Sequence, residues 1–378
     1  MKRIYYIGLL VIAGCLAACK EKFALPESVE NKNYLVVEGF IDSGNDSTFI
    51  KLSRTVTPGD TAVIKTEPGA GIKIEGENGD LFYLNEIRPG VYAAPPLPLN
   101  PSAKYRVNIN TNNGKAYLSD YVEVKTTPPI DSVNWVRTSD GVQVYVNTHD
   151  VTKSSVYYQW EYKETWEFHS AYISDWVFVR ADSSMTRRPN PDLIYRCWQS
   201  FVPTNIMIRS TTKLSEDVIY NFPLSFIPDD SWKLEARYSI IVTQRVLNKG
   251  AYEYLENMKK NSEQLGSIFD PQPSTSNGNI HCTTDANEPV LGYIYCSNAI
   301  QKRIFIDRSE VKGWKYRFFC EEISVPSNKD SLALAFGSSA YIPTTGEGSG
   351  PVITRYKGTN GLCGDCTVRG TNVKPDFW

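Results

Sequence analysis

Six of the eight cysteines lie in the second half of the chain: Cys197, Cys282, Cys296, Cys320, Cys363 and Cys366. Within them, Cys363-Gly-Asp-Cys366 has the spacing of a thiol redox pair and of half a zinc site. A thioredoxin-like pair opens a helix after a strand, whereas Gly361, Gly364 and Gly370 predict irregular loop around these cysteines. A structural zinc site needs a second close pair or histidines at matching spacing. The three histidines, His149, His169 and His281, are scattered, so neither a metal nor another cofactor is expected. Structural disulfides are the remaining use, and six cysteines permit 15 pairings. Cys363 and Cys366 are expected to be oxidised, with at least one bridging to Cys320 or Cys197. Cys282 and Cys296 are expected to pair across neighbouring strands.

Carboxylates offer a second chemistry. Glu161, Glu164 and Glu167 lie near Trp160 and Trp166, and paired carboxylates beside aromatic rings hydrolyse glycosides. On a strand, however, such residues usually face solvent. Asp42 to Ser47 (DSGNDS) resembles a calcium loop but lacks the alternating acids and distal glutamate that the ion needs, so it reads as a hairpin turn. Gly-x-Ser-x-Gly, Gly-x-x-x-x-Gly-Lys-Ser/Thr and His-Glu-x-x-His are all missing, and no catalytic residue is assigned.

A third chemistry sits near the N-terminus. Lys2 and Arg3 precede an uncharged, mostly apolar run from Ile4 to Ala18, too short to span a bilayer comfortably and laid out as a secretory signal. Its end, Leu16-Ala17-Ala18-Cys19, resembles the bacterial lipobox, in which the cysteine sulfur receives a diacylglycerol and becomes the new N-terminus. Ile12-Ala13-Gly14-Cys15 overlaps it, but polar residues begin directly after Cys19, which favours Cys19. Several acyl chains on one residue hold firmly, because each buried methylene adds about 0.8 kcal/mol. Residues 1–18 are thus a cleaved signal, and 19–33 read as a polar, flexible tether. Export from the reducing cytosol also favours disulfides.

Composition narrows the remaining classes. The chain has 378 residues, 41% hydrophobic and 22% charged, which is ordinary globular usage with room for two or more domains. The net charge of −2 becomes −4 once Lys2 and Arg3 leave, with 38 basic against 42 acidic side chains. That balance argues against nucleic acid as a partner. The 23 tyrosines and 8 tryptophans fit binding surfaces or, more commonly, β-strands.

These residues must be carried by strands. From Tyr34 the chain alternates short β-like runs with turns: YLVVEGFI, TFIKLSRT, GIKIEG, LFYLNE, GVYAA, KYRVNIN and KAYLSDYVEVKT. About seven strands in this spacing predict an immunoglobulin- or transthyretin-like β-sandwich over 34–127. Pro128-Pro129 marks the boundary. A larger β-rich domain, also sandwich-like, is expected over 128–378. It opens with a hairpin at Ser139-Asp140-Gly141, where Asp-Gly suits a turn needing positive φ. One amphipathic helix is predicted near 249–265, with Asn248 at its start and Gly266 at its end. The Ser-, Gly- and Pro-rich segment 325–378 is expected to be an irregular wrap tied by cysteines.

The run from Arg237 to Ile280, VLGYIYCSN after it, NYLVVEGFI, PPIDSV and the ending CGDCTVRGTNVKPDFW together resemble the lipoprotein family known as domain of unknown function 4249. The resemblance implies a surface or periplasmic lipoprotein of Gram-negative bacteria whose relatives often accompany TonB-dependent outer-membrane receptors. It implies no activity and no catalytic residues. The expectation is a membrane-anchored accessory or binding protein of unknown ligand, working with such a receptor in nutrient uptake. The alternatives are a hydrolase of glycans or peptides with a site assembled from distant residues, and a structural envelope protein. Acidic residues just after the lipidated cysteine favour the cell surface; Glu21 between Lys20 and Lys22 is a weak form of that signal, and the periplasmic face stays open.

Overall fold

In the computed structural model the described residues are 33–56, 64–263 and 278–378. Cys15, Cys19, the signal segment, the tether up to residue 32 and the expected cap Gly266 lie outside them. The fold is mostly β, with 48% strand and 12% helix spread over several sheets and few helices.

The first unit follows from period-two alternation. Gly71–Gly76, Lys104–Asn110 and Thr48–Arg54 each bury every second residue. Ile72, Ile74, Tyr105, Val107, Ile109, Ile50 and Leu52 thereby meet in one core. The DSGNDS segment is a turn: Gly44 N–H donates to Asp42 Oδ1 at 2.7 Å, and Asp42 N–H donates to Thr48 Oγ1 at 3.0 Å.

The segment after residue 278 departs from expectation. It was assigned to the second domain, yet its strands complete the first. Ile280–Cys282 pairs with Ala116–Ser119, Val290–Leu291 runs parallel to Leu35–Gly39, and Cys296–Ser297 lies parallel to both Ile41–Asp42 and Val122–Lys125. Ile280, Ile294 and Cys296 enter the first core. Parallel pairing needs a long crossover, and here the crossover is most of the second unit. Ions reinforce the return. Arg54 Nε meets Glu67 Oε2 at 2.7 Å, Arg54 Nη1 lies 3.6 Å from Glu288 Oε1, and Lys115 also pairs with Glu288. Burial pushes the neighbouring Tyr117 phenol up to about 12.

The second unit is a sandwich. Ile130–Arg137, Gly141–His149 and Val218–Pro228 form one sheet; Tyr157–His169, Arg196–Phe201, Met207–Ser210, Arg237–Val246 and Ile300–Asp307 form the other. Val142, Val144 and Val146 face Tyr158, Trp160, Tyr238, Ile240 and Val242 in a common core. Part of the aromatic content fills such cores, where Trp160, Tyr92, Tyr105, Tyr117 and Tyr158 are among the largest fully buried side chains. Gly141 is required for a different reason than the one expected. It does not adopt positive φ; a Cβ there would lie 2.2 Å from the Ile227 carbonyl oxygen.

The C-terminal region is tied by disulfides, Cys197–Cys366 and Cys320–Cys363. Part of it is more regular than the expected wrap. Ile323–Pro326, Tyr341–Ser349 and Val352–Asn360 form a sheet covered by the helix Lys329–Phe336, with Trp176, Val325, Leu332, Phe336 and Tyr356 between them. Asn328 caps that helix through Ser331 N–H at 2.9 Å. Cys363 sits in a one-turn helix after a strand rather than in a loop, because Asn360 Oδ1 accepts its N–H at 3.0 Å. The two cysteines of Cys363-Gly-Asp-Cys366 bond to different distant partners, so they are neither a redox pair nor a zinc half-site. Among the described residues no group of three or more His, Cys, Asp or Glu could hold a metal ion.

Cys282 and Cys296 are free, contrary to the expected cross-strand pairing. Cys282 pairs in register with Tyr117, whereas Cys296 lies between Ile41 and Val124, so the two are on separate strands that do not pair. Non-reducing peptide mapping should recover Cys197–Cys366 and Cys320–Cys363, with Cys282 and Cys296 alkylated only after unfolding. In the chain-entropy description, closing the Cys320–Cys363 loop stabilises by about 4 kcal/mol. A Cys363–Cys366 bridge, or alkylation of either in the native protein, would contradict the assignment.

Candidate functional site

The joint between the two units is built from the linker outward. Thr127 N–H donates to Asn298 Oδ1 at 2.7 Å, and Thr127 Oγ1 accepts from Val246 N–H at 3.1 Å. Gln244, fully buried, accepts from Trp160 Nε1 at 2.8 Å and donates to the Pro128 carbonyl at 2.9 Å. The boundary at residues 126–129 is therefore bonded to both units, and the side chains beside it hold fixed positions.

Beyond the linker, Phe40 and Tyr295 from the first unit stack at 5.4 Å. From the second, the Arg245 guanidinium covers Phe40 at 4.4 Å and binds Glu161 at 2.8 Å, while Tyr295 Oη donates to Gln159 Oε1 at 3.0 Å. Burial raises the Tyr295 phenol well above the ordinary tyrosine range, so it stays a neutral donor.

The helix Lys249–Glu263 closes the joint. Asn248 Oδ1 accepts Ala251 N–H at 2.8 Å as the expected N-cap. Ala251, Tyr252 and Leu255 pack against Leu247, Tyr157, Tyr293 and Tyr295. Gly250 lets the helix approach: a Cβ there would lie 2.2 Å from Tyr293 Oη.

Two clefts flank Tyr293. One, of about 330 Å³, is walled by Phe40, Tyr254, Tyr293 and Tyr295, with Leu255 and Met258 beside them and Glu38, Gln159 and Glu161 supplying polar groups. The other, of about 480 Å³, is polar and includes Lys104, Lys125, Asp120 and Asn279. The first has the character of a ligand pocket, mostly apolar and aromatic with a few placed polar groups.

The three glutamates singled out in the sequence are not brought together. On the strand Tyr157–His169 successive side chains alternate faces, so Glu164 points opposite to Glu161 and Glu167. Glu161 and Glu167 are six residues apart, about 20 Å along an extended strand. Each has its own partners. Glu164, 1% exposed, accepts from Ser225 Oγ at 2.9 Å, Tyr238 Oη at 2.7 Å and Lys233 Nζ at 2.5 Å. Glu167 meets His169 at 3.3 Å and Trp378 Nε1 at 2.9 Å; the His169 contact holds its carboxyl below the usual range against the opposing effect of burial. Glu164 and Glu167 are held in local polar networks, while Glu161 pairs with Arg245 at the edge of the cleft.

Of the cleft's lining residues the sequence singles out Glu161 alone, and for glycoside hydrolysis rather than for this site. The signal was present in YLVVEGFI and LGYIYC, where Phe40, Tyr293 and Tyr295 read as strand residues; only the return of 278–298 to the first unit reveals their convergence. The structural assignment of Glu164 has a direct test. Lys233→Met leaves a buried carboxylate without its cation and should lower unfolding free energy by about 3 kcal/mol in urea denaturation. A change under about 1 kcal/mol would mean that Ser225 and Tyr238 suffice.

Residues 20–303 match the family described as Domain of unknown function (DUF4249). Comparison with curated proteins gives no match. With three quarters of its length matched, the chain belongs to the DUF4249 family.

Proposed function

We propose that this protein is a binding or accessory lipoprotein, anchored in the outer membrane through Cys19, that partners a TonB-dependent receptor in nutrient uptake. The observation that carries the binding part is the aromatic cleft between the two units, built from both of them and from the capped helix. A hydrolase needs an acid and a base converging on one bond, and each of Glu161, Glu164 and Glu167 is instead engaged with its own local partners. The lipobox and the polar tether supply the anchoring part, and the receptor is the partner that the family resemblance implies. A tether of about 14 residues would reach roughly 20 Å from the lipid, enough to set the first unit against a receptor's loops. We place the folded units on the cell surface; the tether would equally serve a periplasmic partner.

The test uses the tagged protein in its native host. Wild type should pellet with outer membranes, copurify with a β-barrel receptor after detergent extraction, and be removed from intact cells by added protease while a periplasmic control survives. Cys19→Ala should be released to the soluble fraction. Release by Cys15→Ala instead would move the anchor. Survival until the outer membrane is opened would reverse the surface placement, and purification without any receptor would remove the partner.

A further inference from the structure

We infer that the 330 Å³ cleft takes a small organic cation: an amine or guanidine carrying an apolar arm. This deepens the binding reading above and rests on it.

The charge balance of the walls carries the inference. Phe40, Tyr254, Tyr293 and Tyr295 supply rings, Glu38 and Glu161 supply carboxylates, and among the described residues neither lysine nor arginine lines the cleft. Arg245, a cation of the joint, is already engaged. Its guanidinium is paired with Glu161 at 2.8 Å, lies over Phe40 at 4.4 Å and is only 12% exposed. That pair cancels Glu161. Glu38 is different: it is exposed, and among the described residues it has no ion pair or side-chain hydrogen bond. Lys51 stands opposite it on the neighbouring strand without closing an ion pair, so Glu38 keeps an unbound carboxylate at a cleft walled by aromatic rings.

Both features favour the same ligand charge. Ring faces carry negative electrostatic potential and attract ammonium or guanidinium groups, most strongly where water is partly excluded. An anion would meet Glu38 and the rings with repulsion and, among the described lining residues, would find no cation to replace its hydration. The apolar arm follows from the rest of the wall, since Leu255, Met258 and Ala251 offer no side-chain donor and no acceptor stronger than a thioether. The volume lies at the small end of ligand pockets, about 300–1,000 Å³, which suits a single amine-bearing molecule rather than a polymer.

The cleft walls are fixed without a ligand. Gly292 has φ +142°, and a Cβ there would lie 2.2 Å from the Val37 carbonyl oxygen. Tyr254 and Tyr293 support each other at 5.8 Å. A bound cation would thus enter a preformed site and lose little affinity to reorganisation.

Three probes of matched shape test this on the lipid-free folded protein: 2-phenylethylamine, 2-phenylethanol and 3-phenylpropanoate at neutral pH, titrated while following ring resonances of Tyr254 and Tyr293. The amine should bind at least tenfold tighter than the carboxylate, with the alcohol between. Glu38→Gln should bring amine and alcohol to within about threefold, while Tyr254→Ala should weaken both. Equal affinities for amine and carboxylate in wild type, or an amine preference that survives Glu38→Gln, would overturn the charge inference and leave the cleft as a binding site. If no probe perturbs Tyr254 or Tyr293, the cleft reading itself falls. Receptor copurification is read independently of either outcome.

Discussion

Two residues, Cys296 and Ser297, run parallel between Ile41–Asp42 and Val122–Lys125, and much of the molecule hangs on that insertion. A parallel strand cannot be supplied by a short turn, so the chain must leave the first unit at residue 126, form much of the second, and come back. The return places Ile294 and Cys296 in the first core, Asn298 on the linker at Thr127, and Tyr293 and Tyr295 on the joint. Fully burying a large apolar side chain is worth about 1.5–3 kcal/mol. The segment is thus held by packing, and the Arg54–Glu288 contact adds to it. The two units share the strands of 278–298, and the aromatic cleft is a consequence of how they are joined.

The electrostatics follow the same economy. Along Tyr157–His169 the chain places three carboxylates, and the pleat sends them to two faces, where each finds local donors. Glu164 is the sharpest case, because a carboxylate with 1% exposure is tolerated only when cation and hydroxyl donors surround it. Acid–base chemistry needs groups that converge; here they are dispersed. What does converge at the joint is a set of rings with the Glu38 carboxylate beside them.

Much of the fold was legible locally. Alternation in GIKIEG and KYRVNIN marks strands that bury one face, Asn248 marks the start of the helix Lys249–Glu263, and Pro128-Pro129 marks the joint. Long-range pairing was not legible. VLGYIYC carries the same β signal whichever unit it joins, so its place in the first sheet depends on contacts some 170–250 residues away in sequence. Cysteine spacing hid as much: Cys363 and Cys366 are close in sequence but bond to different segments, Cys320 before the strand Ile323–Pro326 and Cys197 on the strand Arg196–Phe201. The helix Lys329–Phe336 had its signal in Asn328 followed by Asp330, masked by the surrounding serines and glycines. The candidate site was the least readable part, because it is assembled from Phe40, Gln159, Tyr254 and Tyr295, four distant segments joined only by the topology.

The most direct test of this dependence is the folding of residues 33–127 alone, followed by thermal melting and amide dispersion in solution. Without 278–298 the fragment lacks Ile280, Ile294 and Cys296 from its core and the strands beside Leu35–Gly39, Ile41–Asp42 and Ala116–Ser119. It should therefore show no cooperative transition and a narrow amide spectrum, whereas the full mature chain melts cooperatively. A dispersed spectrum with a sharp melt for the fragment would contradict the account, because the first unit would then be autonomous and the joint merely a contact between two finished domains.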